Sequence, residues 1–73
     1  MPKLPRISAA DLVGALKRMG FVEHRQRGSH LAMKHSDGRR TIVPMHSGDI
    51  PIGTLRGILK DIDVPPQQLG EML

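Results

Sequence analysis

An α+β fold, with helices on one face of a three-stranded antiparallel sheet, is the architecture that this 73-residue sequence predicts. Two segments carry apolar residues at helical spacing, and the segment between them has short strand-like runs and a strong hairpin turn. The resulting order is helix, three strands and helix, followed by a short C-terminal helix. Because both main helices are free to cover the same face of so small a sheet, we expect the other face to be exposed.

The first helix is predicted over about residues 9–19. Ser8 followed by Asp11 resembles a capping box, because the hydroxyl can accept from free backbone N–H groups and an acid is favoured in the first turn. The apolar stripe of this helix consists of Leu12, Val13, Leu16 and Met19. Gly20 stands where a left-handed C-cap ends a helix.

The helical period stops at Phe21, the only aromatic residue, which we assign to the core. Residues 21–25, 30–35 and 39–45 are predicted strands, with a polar loop at 26–29. Ser36-Asp37-Gly38 is a hairpin turn, since glycine tolerates positive φ and aspartate bonds to the backbone beyond it. Pro44 cannot donate to a ladder and should lie at a strand end or on an edge.

The second helix is predicted over about residues 52–62, because apolar residues recur at i, i+3, i+4 and i+7. These residues are Leu55, Ile58, Leu59 and Ile62. The segment Val64-Pro65-Pro66 ends this helix. Leu69, Met72 and Leu73 then suit a short terminal helix that packs back on the body.

The length allows one domain, residues 1–73, with a core near the lower limit for independent folding. No cysteine is present, so disulfides and thiolate metal sites are excluded. Residues 1–6 contain no apolar run typical of a signal peptide, and no stretch approaches the roughly 20 apolar residues that cross a bilayer. We therefore expect a soluble cytoplasmic protein that does not bind membranes.

Positive charge is concentrated in the middle third of the chain. The net charge is +4 overall, whereas residues 17–40 alone carry +5 and residues 41–73 carry −2. Lysine and arginine displace condensed counterions from phosphates, so this asymmetry favours a polyanionic partner such as nucleic acid. Charge alone fits an ordinary solvated basic surface equally well.

Three stretches, taken in order and spacing, resemble the HicA toxin family. They are Gly20-Phe21-Val22, Gly28-Ser29-His30, and Val43-Pro44-Met45-His46 leading through Asp49-Ile50-Pro51 into the segment from Gly53 to Lys60. The resemblance covers about residues 8 to 70. It implies a double-stranded-RNA-binding-like fold and an mRNA-cleaving toxin of a type II toxin-antitoxin system, inhibited by direct contact with an antitoxin called HicB. It also implies that the histidine of the Gly-Ser-His motif, His30, is catalytic.

Histidine chemistry agrees with that implication. RNA cleavage without a metal needs a base for the 2′-hydroxyl proton, an acid for the leaving 5′-oxygen and positive charge near the phosphate, and imidazole serves both proton transfers near neutral pH. His30 follows the small residues Gly28 and Ser29, where a phosphate can approach closely. Ser29 is a candidate phosphate contact or a loop residue, and no nearby acid completes a triad for it.

His46 precedes the second helix and is a candidate second acid or base, substrate contact or cap. His24 and His35 are expected to be surface residues of the sheet. The four histidines match no recognised zinc spacing, so we expect neither a metal nor another cofactor.

The cationic side chains proposed to contact RNA are Arg27, Lys34, Arg39 and Arg40 near the motif, extended from helix 1 by Lys17 and Arg18. The alternative function is a non-catalytic double-stranded-RNA-binding module that uses the same basic face and keeps His30 only for binding. A third alternative is a protein-interaction domain whose charge complements an acidic partner. Turnover of RNA distinguishes the enzyme from both.

Overall fold

The computed structural model describes residues 4–73 and confirms the predicted α+β architecture. The elements in chain order are α1 (Ala9–Arg18), β1 (Phe21–Arg27), β2 (His30–His35), β3 (Arg40–Pro44), α2 (Ile52–Asp61) and α3 (Pro66–Met72). Among these residues, no helix is both long and apolar enough to cross a membrane.

The sheet is antiparallel with strand order β1-β2-β3, so β2 is central and Pro44 ends an edge strand, as predicted. Side chains of β2 alternate regularly. Leu31 and Met33 are buried, whereas His30 and Lys34 are exposed. This period of two divides the sheet into a covered face and an open face.

The helices cover the face that carries Phe21, Leu31, Met33 and Val43. Fully buried side chains of the helices include Leu12, Leu16, Leu55 and Leu69, and Ile62, the residue that caps the C-terminus of α2, is fully buried with them. Phe21 is 1% exposed and belongs to the core, as expected. Removal of this apolar surface from water is the main stabilising contribution available to a chain without disulfides.

Helix α1 begins and ends as its local sequence predicts. The Ser8 hydroxyl accepts from the backbone N–H of Asp11 at 3.1 Å. Gly20 follows the C-cap residue Met19 with φ of 98°, a left-handed conformation that glycine adopts without steric cost. A Cβ at this position would lie 2.8 Å from the Nε2 atom of His35, so packing as well as conformation favours glycine here.

The expectation that His35 lies at the surface of the sheet is wrong. Its ring packs edge-on against Phe21, with the ring centroids 5.0 Å apart. Its Nδ1 atom accepts from the backbone N–H of Asp37 at 3.1 Å, so the neutral ring donates from Nε2 to the carbonyl oxygen of Met19 at 3.2 Å. Because β2 presents His35 on the covered face, the imidazole links the end of α1 to the hairpin turn.

Strand β1 is longer than predicted and reduces the predicted loop at 26–29 to a two-residue turn, Gly28-Ser29. Gln26 and Arg27 pair with Leu31 and His30 in the β1–β2 ladder. Their polar character indicated a loop, but at the sheet edge the backbone hydrogen bonds decide the conformation and the side chains remain in solvent. The bounds of α1, β3 and α2 also differ from the prediction by one residue at their ends.

Candidate functional site

The face of the sheet that no helix covers carries most of the charge of the strands. Directly opposite residues in an antiparallel ladder project from the same face, so the register divides this face into three rows. The rows are Val22–Lys34–Arg40, Arg25–Ala32–Ile42 and Arg27–His30–Pro44. Ala32 occupies the middle of this surface, and its small side chain leaves a depression between its larger neighbours.

A shallow groove of about 900 Å³ follows this depression. Its lining includes His24, Arg25, Arg27, His30, Lys34 and Arg40. Among the described residues that line the groove, four are cationic and one, Asp61 at the end of α2, is acidic. A concave surface lined mostly by one sign of charge concentrates oppositely charged ligands, and the net charge of this lining is positive.

His30 lies at the start of the central strand with its side chain exposed. Its cross-strand partners are Arg27 on β1 and Pro44 on β3, so a guanidinium stands next to the imidazole on the open face. The turn that precedes His30, Gly28-Ser29, is fixed by hydrogen bonds from β1 and from the residue that follows β3. The Gln26 side-chain amide donates to the carbonyl oxygen of Gly28 at 3.1 Å, and the backbone N–H of Met45 donates to the carbonyl oxygen of Ser29.

A β-bulge at His24 determines which cations of β1 reach the groove. Glu23 pairs with Met33 and Arg25 pairs with Ala32, so His24 is an additional residue without a partner. Phe21 is buried, and a regular alternation from it would place Arg25 and Arg27 on the covered face. The bulge reverses that alternation and turns both arginines toward the open face.

Sequence reasoning missed His24 and Arg25 as site residues. Both line the groove although they are consecutive, which a regular strand does not allow. His24 was expected to be a surface residue, and it is exposed. No feature of the amino-acid composition indicates the bulge that brings this pair onto one face. The two arginines of β1 were the signal in the sequence that could have pointed to this strand.

Two predicted cations of helix 1 lie outside the groove. Lys17 forms an ion pair with Glu23, which projects from the covered face of β1. The Arg18 guanidinium donates to the carbonyl oxygen of Met72 at 3.1 Å and so links α1 to the C-terminal helix. Neither residue extends the basic surface around His30.

Arg39 also lies outside the groove, whereas its neighbour Arg40 lines it. The Arg39 guanidinium donates to the carbonyl oxygen of Ile62 at 2.7 Å and to the carboxylate of Asp37 at 2.8 Å. It also lies over the ring of Phe21, 5.2 Å from the centroid. These contacts join the β2–β3 turn to the end of α2 and give Arg39 a structural role.

The second candidate histidine of the sequence, His46, is exposed and does not line the groove. It follows Met45 in the loop that leads to α2, whose N-cap residue Pro51 makes no side-chain capping bond. Within residues 4–73, no group of three histidine, aspartate or glutamate side chains is arranged to hold a metal ion.

Comparison with protein families adds an independent observation to this geometry. The profile of a family described as the HicA toxin of bacterial toxin-antitoxin matches residues 9–64. The chain belongs to the HicA toxin family. This HicA-family chain is accordingly the toxin of a bacterial toxin-antitoxin pair. A comparison with curated proteins finds no match.

The part of this HicA-family toxin that matches the profile contains the whole groove. It begins at the first residue of α1 and includes the sheet and α2, together with Asp61 at the groove's edge. Helix α3 lies beyond the matched residues. The surface that surrounds His30 is therefore formed by the segment that the HicA family shares.

Proposed function

We propose that this HicA-family toxin is a metal-independent endoribonuclease that cleaves mRNA, with His30 as a catalytic acid or base. The observation that carries the proposal is the position of His30, exposed on the open face of the sheet in a groove lined by four cationic side chains. Family membership supports a toxin, and this groove supplies the polyanion-binding surface that an RNA-cleaving toxin requires.

The reaction proposed for this site is transphosphorylation. The 2′-oxygen of one nucleotide attacks the adjacent phosphorus while a base removes its proton, and the bond from phosphorus to the 5′-oxygen breaks as an acid protonates that oxygen. The products carry a 2′,3′-cyclic phosphate and a 5′-hydroxyl. The imidazole of His30 is suited to either proton transfer, because histidine as a side-chain type can act as an acid and as a base near neutral pH.

The cations of the groove stabilise the charge that develops on the phosphate. Arg27 is the cross-strand neighbour of His30, and its guanidinium can donate two parallel hydrogen bonds to phosphate oxygens. Lys34 and Arg40 occupy the far row of the same face and contact the phosphates of neighbouring nucleotides. Ser29 and Gly28 adjoin His30 in the turn, where they are candidates for phosphate contact.

We further propose that the inhibiting partner is a HicB-type antitoxin that binds over this groove. Such a partner would cover His30 and offset the positive charge that attracts RNA. Inhibition would then be direct and competitive with RNA.

The proposal is tested with purified toxin, a long end-labelled mRNA and EDTA. We expect wild-type protein to produce fragments with 2′,3′-cyclic phosphate ends, and His30→Ala to lower the cleavage rate by about 10²- to 10⁴-fold, the usual contribution of a general acid or base. Arg56→Ala is the matched control for surface substitution, because Arg56 is exposed on α2 and does not line the groove.

Two outcomes would contradict the proposal. Near-wild-type cleavage by His30→Ala would remove the catalytic assignment. If wild-type protein, without antitoxin, leaves the RNA intact and only retards it in a gel, the result would favour the non-catalytic RNA-binding module instead. Circular dichroism of each variant shows whether lost activity reflects lost folding.

A further inference from the structure

The four histidines of this chain fall into two classes according to their surroundings. His35 uses both ring nitrogens in structural hydrogen bonds, and His46 lies outside the groove. His24 and His30 are both exposed and both line the groove. Transphosphorylation requires two proton transfers, to the 5′-oxygen and from the 2′-hydroxyl, and the groove contains two imidazoles.

The β-bulge places these two imidazoles around the same part of the surface. His24 precedes Arg25, which pairs with Ala32, and His30 lies two residues from Ala32 on the neighbouring strand. Two to three residues along a strand and one step across a sheet correspond to a backbone separation of roughly 10 Å. Two side chains that line one groove at this backbone separation can take one phosphodiester group between them.

We propose that His24 is the second catalytic residue of this toxin and forms an acid-base pair with His30. This inference rests on the proposed function. One imidazole accepts the proton of the 2′-hydroxyl as the 2′-oxygen bonds to phosphorus, and the other donates a proton to the 5′-oxygen as its bond to phosphorus breaks. The reaction starts with the first imidazole neutral and the second protonated, and it leaves the first protonated and the second neutral. The need for one neutral and one protonated imidazole at the start is the condition for a bell-shaped pH profile.

Charged groups from every element around the groove act on this pair. They are Arg25 and Arg27 on β1, Lys34 on β2, Arg40 on β3 and Asp61 at the end of α2. Histidine is the side-chain type whose charge ordinarily changes between about pH 5 and 8. Changes in rate across this range therefore report on the two histidines.

The test is the pH dependence of kcat for His24→Ala on a short RNA. We expect His24→Ala to lower kcat by about 10²- to 10³-fold and to lose one limb of the bell, whereas Arg56→Ala, which lies outside the groove on α2, keeps both limbs. Binding is measured separately with 2′-O-methyl RNA, which cannot be cleaved, and its Kd should change less than about threefold, as expected for a group that acts in the transition state.

A substrate with a sulfur in place of the bridging 5′-oxygen identifies the acid, because a thiolate leaves without protonation. We expect this substrate to restore the activity of one of the two variants, His24→Ala or His30→Ala, and not of the other. Restoration of neither variant would overturn the pairing.

The remaining outcomes separate the two proposals. Wild-type cleavage that depends on His30, together with a complete bell and near-normal kcat for His24→Ala, would overturn the inference and leave the proposed function intact. An increase in Kd by the same factor as the decrease in rate would make His24 a binding residue and would also overturn the inference. Absence of any cleavage by wild-type protein would remove both proposals.

Discussion

Adjacent residues of identical type have different roles in this protein. Arg39 and Arg40 are neighbours in sequence, and both were predicted to contact RNA. Arg40 starts β3 on the open face opposite Lys34, whereas Arg39 bonds to Ile62 and Asp37 and stacks over Phe21. Arg39 should therefore contribute mainly to stability, and Arg40 mainly to RNA binding.

Arg39→Ala should destabilise the fold by about 2 kcal/mol, because it removes charge-assisted hydrogen bonds and a cation–π contact. Its effect on the salt dependence of RNA binding should be small. Arg40→Ala should change the free energy of unfolding by less than about 0.5 kcal/mol, as is usual for an exposed residue. It should reduce the log-log slope of affinity against salt by about one unit, for one lost phosphate contact.

Urea unfolding and RNA titrations at several salt concentrations measure both quantities in the two variants. If the slope of log affinity against log salt is the same for Arg40→Ala and the wild-type protein, RNA does not contact this end of the groove. A stable Arg39→Ala variant with a reduced slope would assign Arg39 to the RNA surface.

At the scale of single elements, the β2–β3 turn shows how a predicted motif acquires further contacts. The sequence Ser36-Asp37-Gly38 forms the turn as expected, with Gly38 at φ of 99°. The Asp37 carboxylate accepts from the backbone N–H of Arg39 at 3.0 Å. That bond, with smaller contributions from the Arg39 guanidinium and from His35, holds the pKa of Asp37 below its ordinary value of 3.8.

This lowered pKa predicts the acid sensitivity of the turn. Because the folded pKa of Asp37 is below the unfolded value, its carboxylate stabilises the fold fully above pH 3.8, and the contribution is lost as pH falls through the folded pKa. The free energy of unfolding of wild-type protein should therefore decrease more steeply below pH 3.8 than that of Asp37→Asn. Urea unfolding of both proteins from pH 7 downward measures this, and parallel curves would refute it.

At the scale of the whole molecule, the helices and the groove occupy opposite sides of one thin sheet. The apolar residues are collected between the sheet and the helices, and the cations of the strands remain on the uncovered side. A chain of this size has a small core and limited stability. Any partner that binds only the folded toxin will raise that stability measurably.

An antitoxin that covers residues 27–40 should therefore have two linked effects. It should displace RNA competitively, because it occupies the groove, and it should raise Tm with increasing concentration. Its stabilisation should reach about 2.7 kcal/mol when the free antitoxin is at 100 times its Kd. Thermal melts at several antitoxin concentrations and competition with labelled RNA test this. A purified complex that cleaves RNA at the rate of free toxin would require an allosteric account of inhibition.

The sequence alone determined the elements and their order, because capping, apolar periodicity and turn chemistry act over a few neighbouring residues. It predicted the Ser8 cap, the core position of Phe21 and the open face, and the Gly-Ser-His resemblance indicated His30 as the site residue. Its assignment of His35 to the surface was wrong, because the contacts that half-bury this ring on the covered face come from Met19 and Phe21, which lie far from it along the chain.

Only the tertiary structure decided which basic residues surround His30. The bulge at His24 reverses the alternation of β1 and turns Arg25 and Arg27 toward the groove. The end of α2 holds Arg39 away from it through the carbonyl oxygen of Ile62. The sequence could not determine either outcome, because strand register and helix-end contacts depend on segments that lie far apart along the chain and meet only after folding.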